Sequence, residues 1–344
     1  MARFSSRFEV DGTPVGEGCP VFVIAEAGVA HFGDEDKAFR LVDLAADAGA
    51  DAVKFQVFNV DDMISGELAD WKARLGPRAL PYDAFARIQA YCKERGITFF
   101  ATAHDEPSLD FLASLDVPLF KVGSGEVGNW PYLKRVASFR RPMIFSTGMY
   151  RTGQVAEALD AIAEAGGRDV AVLHCVTLYP TPPEQAALGT IARLRETCDA
   201  VVGYSDHTRG FHIPLAAVAL GARVIEKHIT LDYDVPNAQD WKVSCGPDDL
   251  GRFISELREV ELALGVRADG PVGAEAESLV WASKSLVARR DLPTGHVLAA
   301  DDLTSKRPGT GIPPSEIEAV IGRRLGRALA SDGILTWQHL TGAA

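Results

Sequence analysis

The sequence predicts a (β/α)8 barrel followed by a small domain of irregular β structure, and three observations carry that reading. Eight short apolar runs of strand length alternate with segments whose apolar residues recur at helical spacing. Each run is followed by polar or glycine-rich residues, the pattern of a barrel whose chemistry sits at one end of its strands. Beyond residue 264 the alternation stops, and tight turns with short β pieces replace it.

In chain order, a short polar lead precedes strands expected at 21–25, 52–58, 97–102, 119–122, 143–146, 170–175, 200–204 and 222–225. Apolar runs of that length with turn signals after them read as parallel strands buried on both faces. Helices are expected at 34–48, 82–95, 107–115, 131–138, 153–165, 187–197, 211–220 and 247–264. In the first, Ala38, Leu41, Leu44, Ala45 and Ala48 share one face and Gly49 ends the run. Residues 59–80 read as an irregular insertion. An open doubly wound sheet is the structural alternative, but it normally has fewer strands and a glycine-rich dinucleotide turn after the first, which is absent. The domains read as a barrel over 1–264, a Gly- and charge-rich linker over 265–283, and a compact β domain over 284–344 with one brief helix near 315–321.

The totals narrow the function. With 344 residues the chain suits a barrel of about 250 residues plus an appendage. Its 35 Lys and Arg face 47 Asp and Glu, a net charge of −12, which argues against nucleic-acid or anionic-membrane partners. An anionic substrate must then be met by a local nest of lysines, hydroxyls and backbone N–H groups. The five cysteines (19, 92, 175, 198 and 245) form no CxxC pair and read as a reduced set. No apolar stretch approaches membrane-spanning length and the N-terminus lacks a signal peptide's apolar region, so a cytoplasmic protein is expected.

At the strand ends the sequence gathers Glu26, Lys54, Gln56, Thr102, Lys121, Ser124, Glu126, Ser146, Thr147, His174, Tyr179, Ser205, Asp206, His207, Glu226 and His228. Lys54 and Lys121 lie inside apolar strands, where an ammonium is costly unless an anion pairs with it. With the hydroxyls of Ser124, Ser146 and Ser205 they compose a phosphate or carboxylate site. His207 and His228 close consecutive strands, so parallel pairing brings both rings to one edge, where they can hold a divalent metal with positions open to substrate. The plain alternatives are a Lys54–Glu26 ion pair, ordinary turn serines and two unrelated histidines.

Many motifs in one order give the chain a resemblance to the sialic acid synthase family, phosphoenolpyruvate (PEP)-dependent enzymes that make nine-carbon keto acids. They include Ile24-Ala25-Glu26-Ala27-Gly28, Lys54-Phe55-Gln56, Lys121-Val122-Gly123-Ser124-Gly125-Glu126, Ser146-Thr147-Gly148-Met149, Tyr179-Pro180-Thr181-Pro182, Ser205-Asp206-His207-Thr208 and Glu226-Lys227-His228. The C-terminal part, with Lys306-Arg307-Pro308-Gly309, resembles the family's antifreeze-like (SAF) domain. The resemblance implies that His207 and His228 bind a divalent metal (Mn2+, with Mg2+ or Co2+ as alternatives). It assigns PEP to Lys54, Thr102, Lys121, Ser124, Ser146, Thr177 and Ser205. It gives catalytic work to Glu26, Glu126 and Asp240, and acceptor contacts to Gln56, Tyr179 and Arg307. It further implies a domain-swapped homodimer in which Arg307 reaches the acceptor in the partner's barrel.

Four stretches depart from the family pattern. Asn-His-Asn-Gly is Ala30-His31-Phe32-Gly33; Thr-Pro-Phe-Asp is Thr102-Ala103-His104-Asp105; an Asn expected beside PEP is Thr177; and Gly-Pro-Asp-His is replaced around Asn237 to Trp241. The catalytic set is nearly intact while the acceptor-facing shell is altered. The expected reaction is therefore condensation of PEP with an open-chain acylated hexosamine-type aldehyde other than N-acetylmannosamine. The rivals are a PEP-condensing synthase with an atypical or phosphorylated sugar, and a catalytically silent carbohydrate-binding barrel.

Overall fold

In the computed structural model, which describes residues 3–236, 238–266 and 269–341, residues up to Gly265 form one compact unit and those from Val266 another. The first unit opens with a hairpin, β1 (Arg7–Val10) and β2 (Thr13–Gly16). Its turn is Asp11-Gly12, with φ of 50° and 80°, the mirror-image geometry that Asp-Gly favours. The polar lead expected there is thus a hairpin, and Asp-Gly between alternating apolar residues is the signal that marks it.

The barrel strands follow: β3 (Phe22–Gly28), β4 (Ala52–Val57), β5 (Thr98–Ala103), β6 (Phe120–Val122), β7 (Met143–Ser146), β8 (Val170–Cys175), β9 (Val201–Asp206) and β10 (Val224–His228). They pair in parallel, in sequence order, and β10 closes on β3. The outer ring begins with α1 (Glu35–Asp47), whose N-cap Asp34 accepts from the Lys37 N–H. Residues 59–80 carry the short helices α2 (Val60–Met63) and α3 (Ala69–Leu75). The ring continues through α4 (Tyr82–Arg95), α5 (Glu106–Ser114), α6 (Trp130–Ser138), α7 (Thr152–Glu164), α8 (Gly189–Thr197), α9 (His212–Ala219) and α10 (Leu250–Ala263). No described helix is long and apolar enough to cross a membrane.

Side chains alternate along each strand, so each sends every second residue inward. The lower inward layer is hydrocarbon: Phe22, Ile24, Ala52, Phe100, Leu119, Ile144, Ala171, Leu173, Val201 and Val224, packed with Phe8, Val10 and Val15 of the hairpin. Outward-facing residues such as Val23, Phe55, Phe99, Phe145 and Ile225 pack under the helices. β9 extends past its expected end at 204, because Ser205 and Asp206 stay in register with Glu226 and Lys227.

In the second unit β11 (Ser285–Ala288) pairs antiparallel with β12 (Leu303–Lys306), and Leu286, Leu292, Leu298, Leu325 and Leu335 build its core. Buried Asp302 accepts from the Ala299 N–H, from Arg290 and from His296 at 2.7 Å. The stretch read as a linker contains a helix, α11 (Glu275–Ala282), with Glu275 and Glu277 in its first turn where the helix dipole favours them. A last short helix, α12, spans Ile317–Val320.

Candidate active site

One inward position above the hydrocarbon layer, the same strands change chemistry. Ile24 is succeeded by Glu26, Ala52 by Lys54, Phe100 by Thr102, Leu119 by Lys121, Ile144 by Ser146, Leu173 by Cys175 and Val224 by Glu226, all buried. Ser205 and His207 continue β9 in the same phase. These side chains line a cavity of about 160 Å³ together with Gln56, His104, Ser124, Thr177, Tyr179 and His228.

Two lysines and two carboxylates organise its floor. Lys54 Nζ lies 2.8 Å from Glu26 Oε2, 3.2 Å from Thr102 Oγ1 and 3.5 Å from Glu226 Oε2. Lys121 Nζ donates to Ser146 Oγ at 2.8 Å and lies 3.6 Å from Glu226 Oε1, which also accepts from Ser205 Oγ at 2.8 Å. Gln56 Nε2 donates to Glu26 Oε1 at 3.0 Å. Burial pushes both carboxyls up. At Glu226 the Lys121 and Lys54 charges outweigh it and hold the group below the usual carboxylate range; at Glu26 burial prevails over Lys54, and the group stands above it. Burial also lowers Lys121, whereas Glu226 and Glu26 overcome it at Lys54 and raise that group.

The wall beside this floor depends on Gly148. Ser124 Oγ accepts from its N–H at 2.9 Å, and a Cβ there would stand 2.2 Å from Thr177 Oγ1 and 2.7 Å from Ser124 Oγ. Only glycine lets those two hydroxyls approach so closely.

At the rim the His207 and His228 ring centres lie 5.2 Å apart, with the Tyr179 ring tilted against His207 at 3.9 Å and edge-on to His228 at 5.7 Å. His207 Nδ1 is 2.7 Å from the Val176 carbonyl, so this nitrogen carries the proton and donates it there. That leaves Nε2 as the free lone pair, the usual arrangement of a metal-binding imidazole. Burial holds His228 down at about 3, a neutral ring as a ligand must be. At His207 the neighbouring Cys175 and the Val176 carbonyl overcome burial and raise the group, so a metal there would have to displace a proton. The pair fits a divalent metal in donor chemistry. Among the described residues no group of three His, Cys, Asp or Glu side chains is placed to hold an ion. Water and substrate would thus have to fill the rest of the coordination sphere.

A second space of about 370 Å³ shares Gln56, His104, Tyr179 and His228 with the first and adds Asp240. Its outer wall, Met63, Trp71, Arg74, Leu75 and Arg78, comes from the insertion at 59–80, and Val29 completes its apolar side.

The other sequence-selected residues lie elsewhere. Glu126 is outside both linings, accepts from Asn129 Nδ2 at 2.6 Å and is raised by burial. Thr147 turns its hydroxyl to the Leu173 carbonyl. His174 and Asp206 sit out of phase with the inward rows: His174 meets the Ala186 carbonyl at 2.7 Å, and Asp206 pairs with Lys227 at 2.6 Å. Arg307 belongs to the second unit, where it is exposed and stands 5.9 Å from the centre of the Trp281 ring. The sequence reading assigned no role to Glu226, Cys175 or His104. Each extends an inward row by two residues, the signal that identifies it; Cys175 Sγ lies 3.8 Å from His207 Nδ1.

The NeuB family model matches residues 41–269 and the SAF domain model residues 283–341. The chain is 38% identical over 316 residues to an N,N'-diacetyllegionaminic acid synthase of Campylobacter jejuni, covering 88% of this chain and 94% of that one. It is 34% identical over 328 residues to the human N-acetylneuraminate-9-phosphate synthase, covering 91% of each. A crystal structure of N-acetylneuraminic acid (sialic acid) synthetase from Leptospira borgpetersenii superposes with a TM-score of 0.75 at 33% identity, over 80% of this chain and 95% of that one. With most of both units matched in this way, the chain belongs to the NeuB family and carries a C-terminal SAF domain.

Proposed function

We propose that this protein condenses PEP with the open-chain aldehyde of an acylated amino sugar, giving a nine-carbon 2-keto-3-deoxy sugar acid and inorganic phosphate. The observation that carries this reading is the floor of the cavity. Lys54 and Lys121 stand among the Thr102, Ser146 and Ser205 hydroxyls, an anion cradle inside an otherwise acidic protein. PEP brings a phosphate and a carboxylate, and the cradle offers charge-assisted hydrogen bonds to both. Ser124, Thr177 and the Gly148 N–H extend the donors along one wall.

In the reaction C3 of PEP attacks the aldehyde carbon, and the alkoxide that results takes a proton. Water adds to the former enol carbon, loses a proton, and the C–O bond to phosphate breaks. Glu26 and Glu226 take different roles, because their surroundings drive them apart. Glu226 stays ionised as counter-ion to both lysines, while the raised Glu26, oriented by Gln56, takes the proton of the adding water. A divalent metal held by His207 and His228 would polarise the aldehyde as a Lewis acid. Tyr179 and Asp240 flank that position from the outer space.

The acceptor enters through that outer space. Its apolar wall of Val29, Met63, Trp71 and Leu75 suits a methyl carbon where N-acetylmannosamine has a hydroxyl, which supports a deoxy sugar. A phosphorylated acceptor is the second reading, because Arg74 and Arg78 line the same space. Incubation with PEP, Mn2+ and a panel of acylated, deoxy and phosphorylated hexosamines, followed by mass spectrometry of the products, tests both. A nine-carbon keto acid from a deoxy or diacylated sugar supports the first reading. Preference for N-acetylmannosamine refutes the acceptor assignment, and absence of any PEP-dependent product refutes the reaction.

A further inference from the structure

The chain has an imidazole, His104, where the related pattern has an apolar ring, and the fold turns it into the site. The His104 N–H donates to the Val57 carbonyl at 3.1 Å, so the β4–β5 ladder runs one residue past Ala103. The ring therefore keeps the phase of Phe100 and Thr102 and points into the barrel mouth. Phe58 packs edge-on against it at 6.4 Å. Its Nε2 is buried and has no hydrogen-bond partner among the described residues. An apolar ring would fill this place without burying a polar atom unpaired, so the imidazole gains nothing from the protein for its desolvation.

We propose that His104 is a specificity-determining residue, which hydrogen-bonds a hydroxyl or amide of the neutral sugar acceptor through Nε2. The inference rests on the condensation reading above and adds the residue that selects the sugar. His104 lines both the inner cavity and the outer space, whereas Lys54, Lys121 and Ser146 line the inner one alone. Its position is therefore the passage between the anion cradle and the space left for the acceptor. Burial, reinforced by the Lys54 and Lys121 charges, pushes the imidazole down to about 4. A neutral ring adds no charge to the cradle but offers one directional hydrogen bond, the recognition a neutral sugar needs. A pocket built to hydrogen-bond a polar substituent rejects the analogue that lacks it far more strongly than an apolar pocket discriminates by shape.

The test uses the full-length protein with Mn2+, PEP and the acceptor panel, comparing wild type with His104→Phe and His104→Gln. His104→Phe is expected to raise KM for the best acceptor at least tenfold and to leave KM for PEP within about twofold. It should also narrow the preference for that acceptor over analogues lacking one hydroxyl or amide. His104→Gln, whose amide nitrogen sits close to the position of Nε2, is expected to recover acceptor KM to within about threefold of wild type. Should His104→Phe not fold, His104→Leu carries the same comparison. An unchanged acceptor KM and unchanged panel ranking in the apolar variant overturn the inference, as does a loss confined to PEP. A wild type that releases no phosphate from PEP with any acceptor overturns the reaction and this inference with it. An active wild type with an indifferent apolar variant overturns the inference alone.

Discussion

The last two barrel strands carry two buried charge networks, back to back, on neighbouring residues. On the outward face Lys227 Nζ donates to Asp206 Oδ2 at 2.6 Å and to the Thr208 carbonyl at 2.8 Å. The other Asp206 oxygen accepts from Tyr204 Oη, the Thr208 N–H and Thr208 Oγ1, at 3.0, 3.0 and 2.8 Å. On the inward face Glu226 faces two lysines at 3.5 and 3.6 Å, and its Oε2 accepts no aligned hydrogen bond. The outward network is closed on itself, while the inward one borders a cavity with polar capacity to spare. Buried charge alone is therefore no sign of a site. Unsaturated buried charge beside open space is.

Substitutions on the two faces can break this distinction. The largest effect is expected from Lys54→Met, which strips Glu26 and Glu226 of a shared counter-ion and PEP of a ligand. It should lower kcat/KM for PEP at least a thousandfold, about 4 kcal/mol of transition-state stabilisation. Steady-state phosphate release measures that. Lys227→Met comes next and acts on stability: leaving Asp206 buried without its partner should cost about 3–5 kcal/mol in denaturant unfolding. The fraction that folds should turn over within about threefold of wild type. The smallest effect is expected from Glu126→Gln, whose carboxyl already rests on Asn129. A change of under threefold in kcat, about 0.6 kcal/mol or less, is predicted. A loss of a hundredfold there would restore Glu126 to the chemistry and weaken the case for Glu26.

Much of this was legible in the amino-acid sequence because the period of two is rigid. Lysines inside apolar runs, at 54 and 121, announce buried ammonium groups by their position alone. The same rule, applied strictly, separates Ser205 and His207 from Asp206, and Cys175 from His174. Collecting polar residues by nearness to a strand end mixes the two phases. The network partners were not legible. That Glu226 serves Lys54 and Lys121 depends on the register and curvature of strands more than 100 residues apart in the chain. The outer space was also hidden, since α2 and α3 arise in an insertion with no clear periodicity. The β1–β2 hairpin was signalled only by its turn, because a four-residue strand carries too little alternation to stand out.

The central claim is that the inward lysines receive PEP and the outward lysine does not. Calorimetric titration of PEP into wild type, Lys121→Met and Lys227→Met, with Mn2+ present, addresses it most directly. Affinity should fall at least a hundredfold in Lys121→Met and stay within about threefold in folded Lys227→Met. Retained affinity in Lys121→Met, or an equal loss in both variants, would contradict the assignment of the two faces.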